Sequence, residues 1–181
     1  LERPGASADQ GVYQDRIELQ GIRPHFTLPD LSWQARLGRK WGYVQAAGIF
    51  RKISWNDIDN IEPNLSGTAV GWGLNFSSNL YFNKQNTGKF QVVYGKGIQN
   101  YMNDATVDIG LEETGNATSP LEVKPIPVFG IVAFYDRTWN DKWTSTIGYS
   151  YVDITNSDAQ APSAFKTGHY ALVNLLYYPT S

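Results

Sequence analysis

The stretch at residues 66–82, SGTAVGWGLNFSSNLYF, sorts its side chains by parity. Even positions from Thr68 onward carry Val70, Trp72, Leu74, Phe76, Leu80 and Phe82, interrupted only by Thr68 and Ser78 themselves. Odd positions carry Ala69, Gly71, Gly73, Asn75, Ser77, Asn79 and Tyr81. A period of two marks a strand, because successive side chains of a strand point to opposite faces. Strands of soluble proteins usually run for about five or six residues. A strand crossing a bilayer needs about 9–11 residues in the hydrocarbon, and this stretch is long enough for that.

The same alternation recurs along the chain. VYQDRIELQ (12–20) sets Tyr13, Ile17 and Leu19 against Gln14, Arg16, Glu18 and Gln20. LSWQARLG (31–38) sets Leu31, Trp33, Ala35 and Leu37 against Ser32, Gln34, Arg36 and Gly38. In WGYVQAAGIFRKISW (41–55), Val44, Ala46 and Phe50 oppose Gln45 and Arg51. Ile49 and Ile53 break that contrast, which predicts a bulge or an apolar contact on the inner side. KFQVVYGKG (89–97) sets Phe90, Val92 and Tyr94 against Lys89 and Gln91. VFGIVAFYDRTW (128–139) is apolar on both sides at its start and leaves its facing open. KWTSTIGYSYV (142–152) sets Trp143, Ile147, Tyr149 and Tyr151 against Lys142, Thr144, Thr146, Gly148 and Ser150. GHYALVNLLYYP (168–179) sets Ala171, Val173, Leu175 and Tyr177 opposite Tyr170, Asn174 and Tyr178, with Leu172 and Leu176 breaking the contrast.

The connections between these strands alternate in length: short at 39–40, long at 56–65, short at 83–88, long at 102–122, short at 140–141 and long at 155–166. Segregation of loop length by end is the habit of outer-membrane barrels, with tight periplasmic turns and extended outer loops. Trp41, Tyr81, Phe82, Phe90, Trp139, Trp143, Tyr177 and Tyr178 all fall near the short-turn end, where amphipathic rings would meet a membrane interface. The expected fold is therefore all-β: an antiparallel, up-and-down transmembrane β-barrel, partial, with about seven to eight strands. The competing class is a soluble ligand-binding β-barrel or β-sandwich, whose apolar faces would point inward. Alternation alone does not say which face is inside.

Composition narrows the picture. Mean hydropathy is −0.37, yet aromatics make up 14%, with 17 Gly, 6 Trp and 11 Tyr, a mix suited to pleated surfaces and turns. A net charge of −2 gives no sign of a nucleic-acid partner, and the lack of cysteine excludes disulfides and cysteine-based zinc sites. No apolar run reaches the length of a transmembrane helix, about 18 residues. The opening LERPGASADQ has neither a basic start nor an apolar run, so in an exported protein it reads as mature chain or excised segment.

Sites for chemistry are sparse. Asp57, Asp59 and Glu62 in NDIDNIEPN offer oxygen ligands, but the spacing departs from a calcium loop and favours a solvated acidic loop. Asp104, Asp108, Glu112 and Glu113 in the 102–122 connection read the same way. Such acidic loops could also hold divalent ions that bridge lipopolysaccharide. His25 and His169 have no Ser or Asp placed beside them in sequence, and GKG (95–97) lacks the spacing of a phosphate loop. No enzyme activity and no cofactor are expected. The cations carry more information: Arg16, Arg36, Arg51 and Lys89 fall on the face assigned to the lumen, and Arg137 is a candidate to join them. On the lipid side each would cost about 2–4 kcal/mol at mid-membrane. Exposed to a water-filled lumen they would favour anions; paired with Glu18 and other acids they would only fill space. Gln34 and Gln45, with Gln14, would add neutral hydrogen-bonding groups.

The stretches RIELQG, GYVQAAGIFRKISW, GYSYVD, QAPSAFKTGHYALVNLLYYP and the opening LERPGASADQG resemble the DcaP-like porins of Gram-negative outer membranes. That resemblance implies a homotrimer of barrels, each of about sixteen strands, in the bacterial outer membrane. It implies passage of small, mainly anionic solutes such as dicarboxylates. On this basis residues 1–181 are expected to form a single segment of such a barrel, lacking N-terminal strands and the closing C-terminal strand. Two other arrangements stay open: eight strands closing on themselves, and folding with a second copy.

Overall fold

The computed structural model describes residues 6–7, 22–25, 27–58, 64–102, 107–116 and 119–179. Seven long strands make one antiparallel meander: β3 (Leu31–Arg39), β4 (Gly42–Asp57), β5 (Gly67–Asn83), β6 (Asn86–Lys96), β9 (Pro127–Asn140), β10 (Trp143–Ile154) and β11 (Thr167–Tyr177). A short β2 (Ile22–Pro24) pairs with the far end of β4, beyond β3. The seven strands fall where alternation predicts them. The 12–20 stretch, with Gln14, Arg16 and Glu18, lies outside the described residues. β3 and β11 are the two edges, and both run from the long-loop end toward the short turns.

The sidedness is the one the alternation implies for a membrane wall. Val70, Trp72, Leu74 and Phe76 are 50, 37, 53 and 51% exposed on the outer face. Register extends that face sideways: Phe76 pairs with Ala46 and Val92, Val92 with Ile131, Ile131 with Tyr151, and Tyr151 with His169. The opposite face is concave, and its cross-strand row Arg36, Gln45, Ser77, Gln91, Val132, Ser150, Tyr170 is largely polar. The ambiguous strand β9 resolves with Phe129, Ile131, Ala133 and Tyr135 outward and Val132, Phe134 and Asp136 inward.

Aromatics band the outer face twice. Trp41, Phe82, Trp139, Trp143 and Tyr177 are exposed at the short-turn end; Tyr178, just past β11, is exposed there too, as is Tyr81, which pairs with Thr87 on the face of Asp136. A second belt, not read from the sequence, comprises Trp72, Tyr94, Phe129 and Tyr151; Trp72 and Tyr94 meet edge to face at 5.8 Å between centroids. Between the belts the register rows bring no Asp or Glu to the outer face of the described strands, and of the cations only Arg39, the last residue of β3, beside the short turn. Arg137 pairs with Asn86 and Ser145 on the outer face, not in the lumen. It sits in the lower belt, its guanidinium carbon 4.3 Å from the Trp139 ring centroid.

The 102–122 connection is not a solvated loop. It contains β7 (Ile109–Asn116) and β8 (Ser119–Pro125), an antiparallel hairpin extended by a two-residue parallel strand β1 (Ala6–Ser7). The hairpin lies on the concave face. Ile109 and Leu111 pack with Ile53, Trp55 and Ala69 of the wall and with Leu65 and Ala159. A second cluster joins Ile98, Ile126, Val128 and Ile154, flanked by Ile49 and Val93. Ile49 and Ile53 thus mark inward apolar contacts. β4 pairs with β5 in unbroken register from Gly42 to Trp55, so no bulge is present there.

Small residues on the inner face of β5 and β6 make room for this packing. A Cβ at Gly73 would come 2.7 Å from Ile98 Cδ1, and one at Gly95 would come 2.4 Å from the Trp72 carbonyl oxygen. Gly97 adopts φ +65°, which lets the chain turn off β6 onto the wall.

Candidate lumen site

The hairpin and its clusters fill the long-loop half of the concave face. The remainder is an open trough of about 1090 Å³ that reaches from edge strand β3 to edge strand β11. Gln34, Asn75, Gln91, Ser150 and Tyr170 line it together with Ile98 and Met102 from the inserted segment. Each polar side chain stands there because its strand alternates, with its outward neighbours (Trp33, Leu74, Val92) on the apolar face.

Of the cations expected in the lumen, the structure treats each differently. Arg36 is exposed on the concave face, its guanidinium carbon 3.6 Å from the Tyr43 ring centroid. That contact orients the charge without neutralising it. Beside it, Gln45 Nε2 donates to Gln34 Oε1 at 3.4 Å across β3 and β4. Lys89 also faces inward but forms an ion pair with Asp136 at 2.5 Å. Arg16 lies outside the described residues.

Arg51 is the correction. It is 2% exposed, so it meets no solute. Its Nε donates to Asp30 at 2.9 Å, and its Nη1 donates to Asp108 at 3.0 Å and to the Gly97 carbonyl at 2.7 Å. It ties the wall, the entry to β3 and the start of β7 together. Asp108, read from the sequence as one of several solvated acids, is fully buried and also accepts from the Asn100 N–H at 3.2 Å. Burial of a charge is tolerated when it is paired and hydrogen-bonded on all sides. The tyrosine ring of Tyr101 covers the guanidinium at 5.0 Å, and its hydroxyl donates to Asp30 at 2.6 Å.

Two further contacts lock the segment. Gln99, fully buried, donates from Nε2 to the Ile126 carbonyl at 2.8 Å and accepts from the Ile98 N–H at 2.9 Å. Gly97 N–H donates to the same Ile126 carbonyl at 3.0 Å. On the hairpin's other face, Lys124 bonds Glu112 at 2.7 Å and approaches Glu122 at 3.4 Å. The hydrogen bond and charge of Glu112 push the Lys124 ammonium above its ordinary value.

The remaining candidates resolve as backbone or surface groups. Asp57 accepts the Leu65 N–H at 3.0 Å and closes the 58–66 connection. Asp59 and Glu62 lie outside the described residues, and among the described residues no three His, Cys, Asp or Glu gather as a metal site. His169 is on the outer face, Nδ1 2.7 Å from the Tyr149 hydroxyl. His25 is exposed.

The buried hairpin carried a sequence signal that alternation analysis of the strands alone passes over: Ile109 and Leu111, then Leu121 and Val123, repeat with period two inside the acidic stretch.

No family model matches the chain. No curated protein matches it either. Among solved structures, it is similar to the outer membrane channel DcaP of Acinetobacter baumannii, with a TM-score of 0.68 and 14% sequence identity. The match covers 90% of this chain and 44% of that one. At that identity the likeness is one of fold, and it is the fold expected: an all-β antiparallel sheet, part of a barrel and not closed.

Proposed function

We propose that these strands form part of the wall of a bacterial outer-membrane channel that lets small hydrophilic solutes diffuse passively. The observation that carries this reading is the division of one curved sheet into an apolar exterior between two aromatic belts, its one charged side chain, Arg39, beside a short turn, and a polar trough within. Such a sheet suits lipid outside and water inside. Selection would come from the width left beside the inserted hairpin and from the charges that reach water, with no bond made or broken.

Preference for anions such as dicarboxylates, suggested by the sequence resemblance, rests on Arg36 among the described cations. Lys89 is held by Asp136, and Arg51 is out of reach. Gln34, Gln45 and Gln91 would supply neutral hydrogen bonds to the same solutes. Assembly as a homotrimer belongs to this proposal through the resemblance alone.

The test is reconstitution of the detergent-purified protein into planar bilayers. Stepwise conductance of uniform size supports the reading. A protein that stays monomeric in detergent-free buffer and gives no conductance overturns it.

A further inference from the structure

At the level of the upper aromatic belt and just above it, the outer face changes character. Lys52 pairs in register with Val70, and Lys96 pairs with Trp72, so both project from the outer face on either side of β5. Arg23 pairs with Asn56, two residues beyond Ser54 on the same face. All three cations are exposed, and none has a carboxylate partner among the described residues. Between them stand Ser54 and Thr68, whose hydroxyls bond each other at 3.1 Å. Immediately below lie Leu31, Phe50, Val70 and Trp72, the top of the apolar band.

We propose that Arg23, Lys52 and Lys96 form a binding site for the phosphorylated head group of an outer-leaflet saccharolipid, the lipid A part of lipopolysaccharide. The inference rests on the outer-membrane reading above. In that reading the long connections mark the outward end, so this row of cations lies at head-group level of the outer leaflet. Neighbouring strands are about 4.8 Å apart, which spaces Lys52 and Lys96 by about two strands, within reach of one bulky, multiply charged head group. Its acyl chains would lie down the exposed Phe50, Val70 and Trp72. A cation row standing over an apolar face meets both halves of such a lipid, phosphate above and hydrocarbon below. At the short-turn end the exposed Lys84 and Lys142 sit on turns beyond the lower belt, away from any such continuous face.

The experiment is native mass spectrometry of the protein purified from outer membranes in a non-ionic detergent, titrated with bis-phosphorylated lipid A. The comparison ligands are dephosphorylated lipid A, phosphatidylglycerol and inorganic phosphate. The wild-type protein should bind bis-phosphorylated lipid A at least tenfold more tightly than any of these. The triple variant R23Q/K52Q/K96Q should lose that advantage, while K84Q/K142Q should keep it. If the triple variant does not fold, the single K52E variant carries the test, and it should weaken binding severalfold. Binding by folded variants within twofold of wild type, or equal binding of phosphatidylglycerol or inorganic phosphate, overturns the site. A protein that conducts in bilayers yet shows no such preference defeats the site alone, whereas failure to conduct at all defeats the channel reading beneath it.

Discussion

Arg51 Nη1 and the Asp108 carboxylate meet at 3.0 Å in a place where the two side chains are 2 and 0% exposed. One belongs to the wall and the other to the segment that enters the lumen, so this pair fixes where the hairpin sits. Replacing Arg51 with Met strands a buried carboxylate and should cost about 3–5 kcal/mol. The double variant R51M/D108L should recover a large part of that loss, because two apolar groups need no pairing. Urea unfolding of the refolded protein, followed by tryptophan fluorescence, reads both midpoints.

Ion selectivity should separate the cations by their exposure. Arg36→Ala should shift the reversal potential in a salt gradient toward cations, since its charge stands in the trough. Lys89→Ala frees Asp136 and should shift it the same way. Neither replacement should lower stability by more than about 1 kcal/mol, the range of exposed pairs. Unchanged reversal potentials in both variants would remove the anion preference.

Sidedness is testable with neighbours in one strand. Leu74→Arg places a cation on the outer band and should cost about 2–4 kcal/mol. Ser77→Arg, three residues on and facing the lumen, should cost far less. Fluorescence-detected unfolding in lipid vesicles gives the two values, and equal costs would contradict the assigned exterior.

Glycines on the inner wall should differ in what they tolerate. A methyl at Gly95 would press on the Trp72 carbonyl and on Gly73 Cα, at 2.4 and 2.7 Å, both backbone atoms. Gly95→Ala should destabilise by about 1–3 kcal/mol, the range for overpacking. Gly38 has nothing within 4 Å of the same position, and Gly38→Ala should be close to neutral. Heat-induced gel-shift temperatures would rank the two.

The hairpin also carries a pH dependence. The folded pKa of Lys124 is raised by its Glu112 hydrogen bond, so the stabilisation it gives is complete below the ordinary lysine value, 10.5, and is lost as pH rises through the raised one. The chain has no cysteine, so a single spin label at Glu113→Cys reports on the hairpin directly. Its mobility should stay constant from about pH 7 to about pH 10 and increase above that, given the ordinary lysine range.

Much of the fold was legible because a wall between two solvents writes its two faces into alternate residues. The strand ends followed from loop lengths, and the lower aromatic belt followed from where Trp and Tyr cluster. What alternation does not encode is what lies against a face. Gly71, Gly73 and Gly95 look like a lumen kept small for water, but Ile98 lies across two of them. Arg51 looks like a pore cation until Asp108, 57 residues away in sequence, is seen beside it. Arg137 was misassigned because an apolar stretch gives no parity to count from, and only pairing with Ser145 fixes its side.

The two border strands of the sheet, β3 and β11, point the same way, since seven members of a meander begin and end in the same direction. Joined to each other they would make a parallel seam, which bacterial outer-membrane barrels, with their even number of antiparallel strands, do not contain. A second copy inserted in the same sense meets the same mismatch, β11 of one against β3 of the other. In a barrel of that kind, the strands that join these seven described ones to close the ring are odd in number, whatever supplies them.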